Sequence, residues 1–191
     1  MVEDEQPISV ADVLNDGESG TRSNSGAARL PGDLAYARPA YALILYGTND
    51  WNEPACRNAF PCYTIDSLRD MIRDTKSAGA FPIVATIPPV NPQYADKSPT
   101  ERNAWVKNMN ELIRSMAASE RCPVAEVYGD FMKQPSLPPL FSDDKHPNDT
   151  GYQIMSQSFF RALTQPLAGT SSTVAAEDAV PVLLASKHRH H

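Results

Sequence analysis

The sequence has no run of basic residues. Its 17 lysines and arginines stand against 23 aspartates and glutamates, for a net charge of −6. Nothing therefore gathers positive charge for a nucleic acid or an anionic membrane surface. No apolar stretch reaches the ~20 residues of a membrane-spanning helix. The opening residues Met1-Val2-Glu3-Asp4-Glu5 are acidic and do not read as a secretory leader. Histidine is scarce as well. The chain has four, three of them among its final five residues, which leaves His146 alone in the body. One histidine without a paired Asp/His cluster argues against a metal centre.

What is present fits one globular domain. A chain of 191 residues, 41% apolar, 8% aromatic and 21% charged, can bury a single core of ordinary size. Cys56 and Cys62 sit in the loop Glu53-Pro-Ala-Cys-Arg-Asn-Ala-Phe-Pro-Cys62. That spacing admits a local disulfide, which suits a secreted or periplasmic protein. Two free thiols in a cytosolic loop are the alternative. The bridge is the expectation. Cys122 reads as an ordinary buried thiol. After Leu167 the composition shifts to Gly, Ser, Thr and Ala. The expected organisation is thus a domain over 1–167 and a flexible linker and tail over 168–191, with an apolar piece at Ala179–Ala185.

Strand and helix patterns alternate. Tyr41–Tyr46, Phe81–Pro88 and Pro123–Tyr128 are short continuous apolar runs, as expected of strands buried on both faces. Ile65, Leu68, Met71 and Ile72 mark one helical stripe, and Trp105, Met109, Leu112, Ile113 and Met116 mark another. Ser98-Pro-Thr-Glu101 has the form of a capping box with Pro at the first helical position. Gly79 suits the end of the first of these helices. Tyr152, Met155, Phe159 and Leu163 give a last helix its apolar face. This order predicts an α/β fold, a three-layer flavodoxin-like sandwich around a parallel sheet. Ligands of such sheets bind beyond the carboxyl ends of the strands. Two motifs fall at that edge: Gly47-Thr-Asn-Asp50 after a strand, and Asp143-Asp-Lys-His-Pro-Asn148 before the last helix.

Together with Asn15-Asp-Gly-Glu-Ser-Gly20, these motifs resemble the SGNH/GDSL hydrolases, including the thioesterase/lysophospholipase-type esterases. The resemblance implies a serine ester hydrolase acting on carboxylic esters or thioesters, with no metal or other cofactor. It makes His146 the catalytic base and Asp143 its orienting acid, since a carboxylate on the imidazole Nδ1 fixes the tautomer and stabilises the imidazolium. It makes Gly20, through its backbone N–H, and Asn49, through its amide, the oxyanion donors. Read alone, each of the two is also a plain turn residue. Asp50 is expected to brace its loop rather than react.

The resemblance also marks a gap. The family opens with a strand running into Gly-Asp-Ser, then a helix and a second strand, a unit of about 30 residues. Here fourteen residues precede Asn15, and Gly-Asp-Ser occurs nowhere in the chain. Pro7–Val13 can supply the second strand, while the first is expected to be missing. An amino-terminal truncation and a natural degenerate member both fit. A third reading has the apolar tail stand in for the lost strand, with Ser186 at its end. Entry of a strand into the sheet centre from a flexible tail is not expected. Ser19 and Ser186 are then the serines available as a nucleophile. Impaired hydrolysis is the expectation, and a catalytically inactive remnant that binds a ligand is the alternative. Strand edges left open at the gap would favour homo-oligomers.

Overall fold

The protein is described here from a computed structural model, over residues 12–165 and, for the backbone, 182–184. In chain order the elements are β1 (Val13–Asn15), α1 (Ser23–Ala37), β2 (Tyr41–Ile44), α2 (Pro54–Asn58), α3 (Thr64–Ser77), β3 (Phe81–Ala85), α4 (Pro99–Ser119), β4 (Val124–Ala125), α5 (Val127–Met132), α6 (Asp149–Thr164) and β5 (Val182–Leu184). The five strands form one sheet in the order β1-β5-β2-β3-β4, and every pairing in it is parallel. No described helix is long and apolar enough to cross a membrane.

Alternation along the strands creates the layers. In β2, Ala42 and Ile44 face a core shared with Leu30 and Leu34 of α1, Leu68 and Ile72 of α3, and Met109 and Ile113 of α4. Leu43 between them faces the opposite core, with Ile83 and Ala85 of β3, Phe131 of α5, and Met155 and Phe159 of α6. Both faces of the sheet are thus covered by helices, and strands buried on both sides need uninterrupted apolar sequence. The expected three-layer sandwich is the one observed.

Two local expectations need correction, and a third holds. The run Pro123–Tyr128 is strand only at Val124–Ala125, and Val127 already begins α5. Val127 and Phe131 are both fully buried at helical spacing, and Glu126, just before the helix, is gripped by Arg114 of α4 through two hydrogen bonds of 2.8 Å. Side-chain burial at a helical period outweighs the strand propensity of the run. Ser98 does precede α4, but in the left-handed region at φ 50°, and its side chain makes no capping bond. A capping box requires extended backbone at that position. Gly79 follows α3 as expected, at φ 81°.

The larger correction concerns the tail. Val182–Leu184 runs between β1 and β2, with Leu183 in register with Leu14 on one side and Ala42 on the other. The expected gap in the sheet therefore exists in the order of the chain but is filled from its far end. The linker composition of residues 168–178 gives no information on where the following segment docks. Long closure is also inexpensive, since each doubling of a flexible loop adds only about 0.6 kcal/mol. The expectation of dimerisation through open inner edges loses its ground, because β5 pairs both. Pro7–Ile8–Ser9–Val10–Ala11, Ser186 and the terminal histidines lie outside the described residues.

One buried carboxyl ties the loops at the carboxyl edge to the helices. Asp50 is fully buried. Its Oδ1 accepts from the Ser23 N–H at 2.9 Å, and its Oδ2 accepts from the Ser23 hydroxyl at 2.6 Å and the Thr64 hydroxyl at 2.7 Å. Ser23 and Thr64 are the first residues of α1 and α3. Thr64 Oγ1 also lies 3.3 Å from Cys62 Sγ, and Cys62 is bridged to Cys56 with the Cα atoms 4.8 Å apart. Trp105 of α4 donates its indole N–H to the Cys56 carbonyl at 3.2 Å.

Two outcomes are expected from this arrangement. Alkylation of the denatured, unreduced protein adds one group, at Cys122, and alkylation after reduction adds three, both read by intact mass. Three adducts without reduction would show that the bridge does not form. Asp50→Ala removes the acceptor of three buried donors and lowers stability by about 3 kcal/mol in urea unfolding. A loss below about 1 kcal/mol would mean that water replaces the carboxyl.

Candidate active site

His146 belongs to a short, closed loop that presents it to the carboxyl edge of the sheet. Phe141 and Pro147 pair as an antiparallel bridge, and Ser142 N–H donates to the His146 carbonyl at 2.8 Å. Inside that loop Asp143 acts at three points. Its Oδ1 accepts from the N–H groups of Lys145 at 2.9 Å and His146 at 2.7 Å, and its Oδ2 lies 2.6 Å from His146 Nδ1. The Asp-x-x-His spacing is what lets one carboxylate bind both the backbone and the ring of His146. Burial pushes the Asp143 carboxyl up, but the Lys145 N–H, the His146 ring and the His146 N–H outweigh it and hold it at about 2. Asn148 closes the loop by capping α6, accepting from the N–H groups of Thr150 and Gly151.

The second loop follows β2. At Gly47, φ is 116°, and a Cβ there would stand 2.3 Å from Ile87 Cδ1. Only glycine allows this turn and this approach. Thr48 and Asn49 come next, and Asp50 N–H closes the turn onto the Gly47 carbonyl at 3.0 Å. The Asn49 amide donates to the Thr21 carbonyl at 3.1 Å. That bond joins it to the third loop, between β1 and α1, where Gly20 takes a positive φ of 77°. Arg29 of α1 holds the same loop, donating to Asp16 Oδ2 at 2.6 Å and to the Asp16 carbonyl at 2.8 Å. It also stands 2.7 Å from Asp33. Burial and a hydrogen bond that its protonated form donates to Asp16, against the Arg29 charge, raise the Asp33 carboxyl to about 6.

The three loops enclose one cavity of about 270 Å³, whose wall includes Gly20, Asn49, Tyr46, His146, Tyr152 and Met155. The structure thus brings His146, Gly20 and Asn49 to a common space, with Asp143 behind the imidazole. An amide nitrogen has two hydrogens, so Asn49 can hold Thr21 and still donate into the cavity. Ser19 lines the same wall; Ser186 lies outside the described residues. Among the described residues no group of three His, Cys, Asp or Glu side chains could hold a metal ion.

Several residues of the site's frame carry no signal in the sequence. Asn91 donates its side-chain amide to the Asp143 carbonyl at 3.2 Å and its backbone N–H to the Asp144 carbonyl at 2.9 Å. Arg102 of α4 is only 4% exposed and donates from Nη2 to the Thr48 carbonyl at 2.9 Å. Asn103 and Asn110 of α4 each hold both backbone groups of one residue after β3, Val90 and Ile87 respectively. Polar residues on a helix ordinarily read as a solvated face, and nothing local distinguishes these from such a face.

The profile of the GDSL-like lipase/acylhydrolase family matches residues 4–154. The thioesterase 1/protease 1/lysophospholipase L1 of Escherichia coli K12 is 36% identical over 75 residues, 39% of this chain and 34% of that protein. The match therefore spans about a third of the curated relative's length. Among solved structures, a lipase/acylhydrolase from Enterococcus faecalis superposes with a TM-score of 0.62 at 20% identity, covering 75% of this chain and 71% of that one. An acetylxylan esterase from Geobacillus stearothermophilus gives 0.60 at 18% identity, covering 78% and 70%. At these identities the structural matches speak for the fold alone. The profile match, covering most of the chain on the same loops that build the cavity, carries the assignment: this chain belongs to the GDSL-like lipase/acylhydrolase family.

Proposed function

We propose that this chain is a hydrolase of carboxylic esters or thioesters, slowed because the Gly-Asp-Ser block does not occur in it. The observation that carries this reading is the 2.6 Å contact between Asp143 and His146 Nδ1, at a cavity that Gly20 and Asn49 also line. In the reaction, His146 takes a proton through Nε2 from the attacking hydroxyl and returns it to the leaving group. Asp143, ionised at neutral pH, stabilises the imidazolium formed in between. The Gly20 N–H and the second hydrogen of the Asn49 amide receive the charge that develops on the carbonyl oxygen. A hydroxyl without the strand and turn that normally fix it attacks from a poorly held position, and positioning supplies much of the rate in such reactions. The Cys56–Cys62 bridge supports an oxidising compartment, and we place the protein outside the cytosol on that ground.

The direct test is hydrolysis of p-nitrophenyl acetate and butyrate by the full chain. Slow turnover is expected, falling to the buffer rate in His146→Ala. Rates typical of ordinary esterases would contradict the impairment, and separate Ser19→Ala and Ser186→Ala variants would then identify the nucleophile. A wild-type rate no higher than that of His146→Ala would sink the enzyme reading and leave a binding protein.

Acid stability offers a second check. Asp143 is held at about 2, below the ~3.9 of an unperturbed aspartate. Its interactions therefore add stability above pH ~4, and the contribution is lost as pH falls towards 2. The melting temperatures of wild type and Asp143→Asn should differ most above pH 4 and converge near pH 2. A gap that stays constant across that range would show that the contact does not form in solution.

A further inference from the structure

Arg102 is a buried cation outside the cavity wall, and its contacts run to two of the three loops that line it. Its Nη2 donates to the carbonyl of Thr48, the residue before Asn49. Its Nη1 stands 3.5 Å from a carboxylate oxygen of Asp144, the residue after Asp143. One guanidinium is therefore one residue from the oxyanion amide on one side and one residue from the orienting acid on the other. Its Nε meets no acceptor among the described residues. Burial disfavours the cation, and Asp144 and Asp143 work against that effect.

So costly a group is not explained by packing. An apolar side chain of similar length would fill the same volume without the desolvation penalty. The rest of α4 shows what the position is for. Asn103 and Asn110 use the inward face of the same helix to fasten Val90 and Ile87 in the segment after β3. That segment in turn holds the His146 loop through Asn91. Asp50 and Thr21 fasten the Asn49 loop to α1 and α3, and their described hydrogen bonds run to those elements. Among the hydrogen bonds and ion pairs described for Thr48–Asp50 and for Asp143–Asp144, Arg102 is the group common to both.

We propose that Arg102 is a positioning residue that clamps the Asn49 loop to the His146 loop and so sets the separation between the oxyanion donor and the base. The proposal rests on the hydrolase reading for its consequence, but its geometry is tested independently. Arginine suits the role because its planar fork reaches two acceptors at once, whereas lysine keeps the charge and offers a single point.

The test uses three variants of the full chain: Arg102→Met, Arg102→Lys and Asp144→Asn. Backbone amide spectra and hydrogen exchange are followed at Thr48–Asn49 and at Lys145–His146, with the β2 amides as the internal reference. Arg102→Met should move and deprotect both loops together while β2 stays in place. Asp144→Asn should move the His146 loop and reproduce part of that effect. Arg102→Lys should recover the melting temperature without recovering both loops. In the ester assay, the His146-dependent kcat of Arg102→Met should fall by about 10²-fold, as for a displacement of about 1 Å, with KM unchanged. Three results would overturn the proposal: a change in one loop only, a uniform loss of protection across the sheet, or full recovery of both loops and of kcat in Arg102→Lys. If Arg102→Met does not fold, Arg102→Lys and Asp144→Asn decide by the same criteria. If no protein hydrolyses ester, the hydrolase reading fails, and the spectra still decide whether the clamp exists.

Discussion

The structure turns on the carboxyl of Asp50. It is fully buried, and its described partners are neutral: one backbone N–H and two hydroxyls. A group of this kind is expensive to place in a core and still more expensive to leave half-satisfied. It is therefore a strong constraint on the backbone. Wherever Asp50 sits, the first turns of α1 and α3 must come to meet it. Because Asn49 is its neighbour and Thr21 stands two residues before Ser23, the same constraint brings the amide of Asn49 to the Thr21 carbonyl. The Asn49 side of the cavity is thus built as a consequence of satisfying one buried acceptor.

The His146 side is built on a different principle. Asp143 and His146 are three residues apart, and their contacts lie within one tight loop. This difference explains what could be read in advance. The Asp-x-x-His pairing and the Asn49 position belong to short local motifs, and such motifs are what a resemblance to a family can carry. The helical stripes of α3, α4 and α6 were legible for the same reason. The partners of Asp50 were not, because Ser23 and Thr64 lie 27 and 14 residues away. Arg102 and Asn91 were hidden by the same separation. The run at Pro123–Tyr128 misled because apolar residues suit a strand and a buried helical turn alike, and the burial of Val127 together with Phe131 at helical spacing decides between them. The place of β5 was open to the apolar tail but was not the expected one, because pairing with β1 and β2 leaves no trace in the composition of the segment that leads to it.

Charge near the cavity is arranged in two separate groups. Arg29 gathers Asp16 and Asp33 on the α1 side, with Glu18 further out at 3.9 Å. Arg102 and Lys145 face Asp144 on the α4 side. An acidic chain with net charge −6 would repel itself where carboxylates crowd, and these cations sit at the two places where loops with acidic residues converge. The loops can therefore approach one another closely enough to enclose a cavity. On the α1 side burial still raises the Asp33 carboxyl to about 6, against the Arg29 charge.

The placement of β5 bears on how the molecule is made. In the sheet, Val13 lies beside Val182 and Tyr41 lies on the other side of that same residue. The earliest and latest described elements of the chain are thus direct neighbours, a topology of high contact order that folds slowly. During translation β1, β2 and the helices around them emerge long before the strand that completes them. Until then the inner edges of β1 and β2 have no partner of their own and offer a template to any extended segment nearby. The exposure of those edges ends only when Val182–Leu184, the latest strand among the described residues, has left the ribosome.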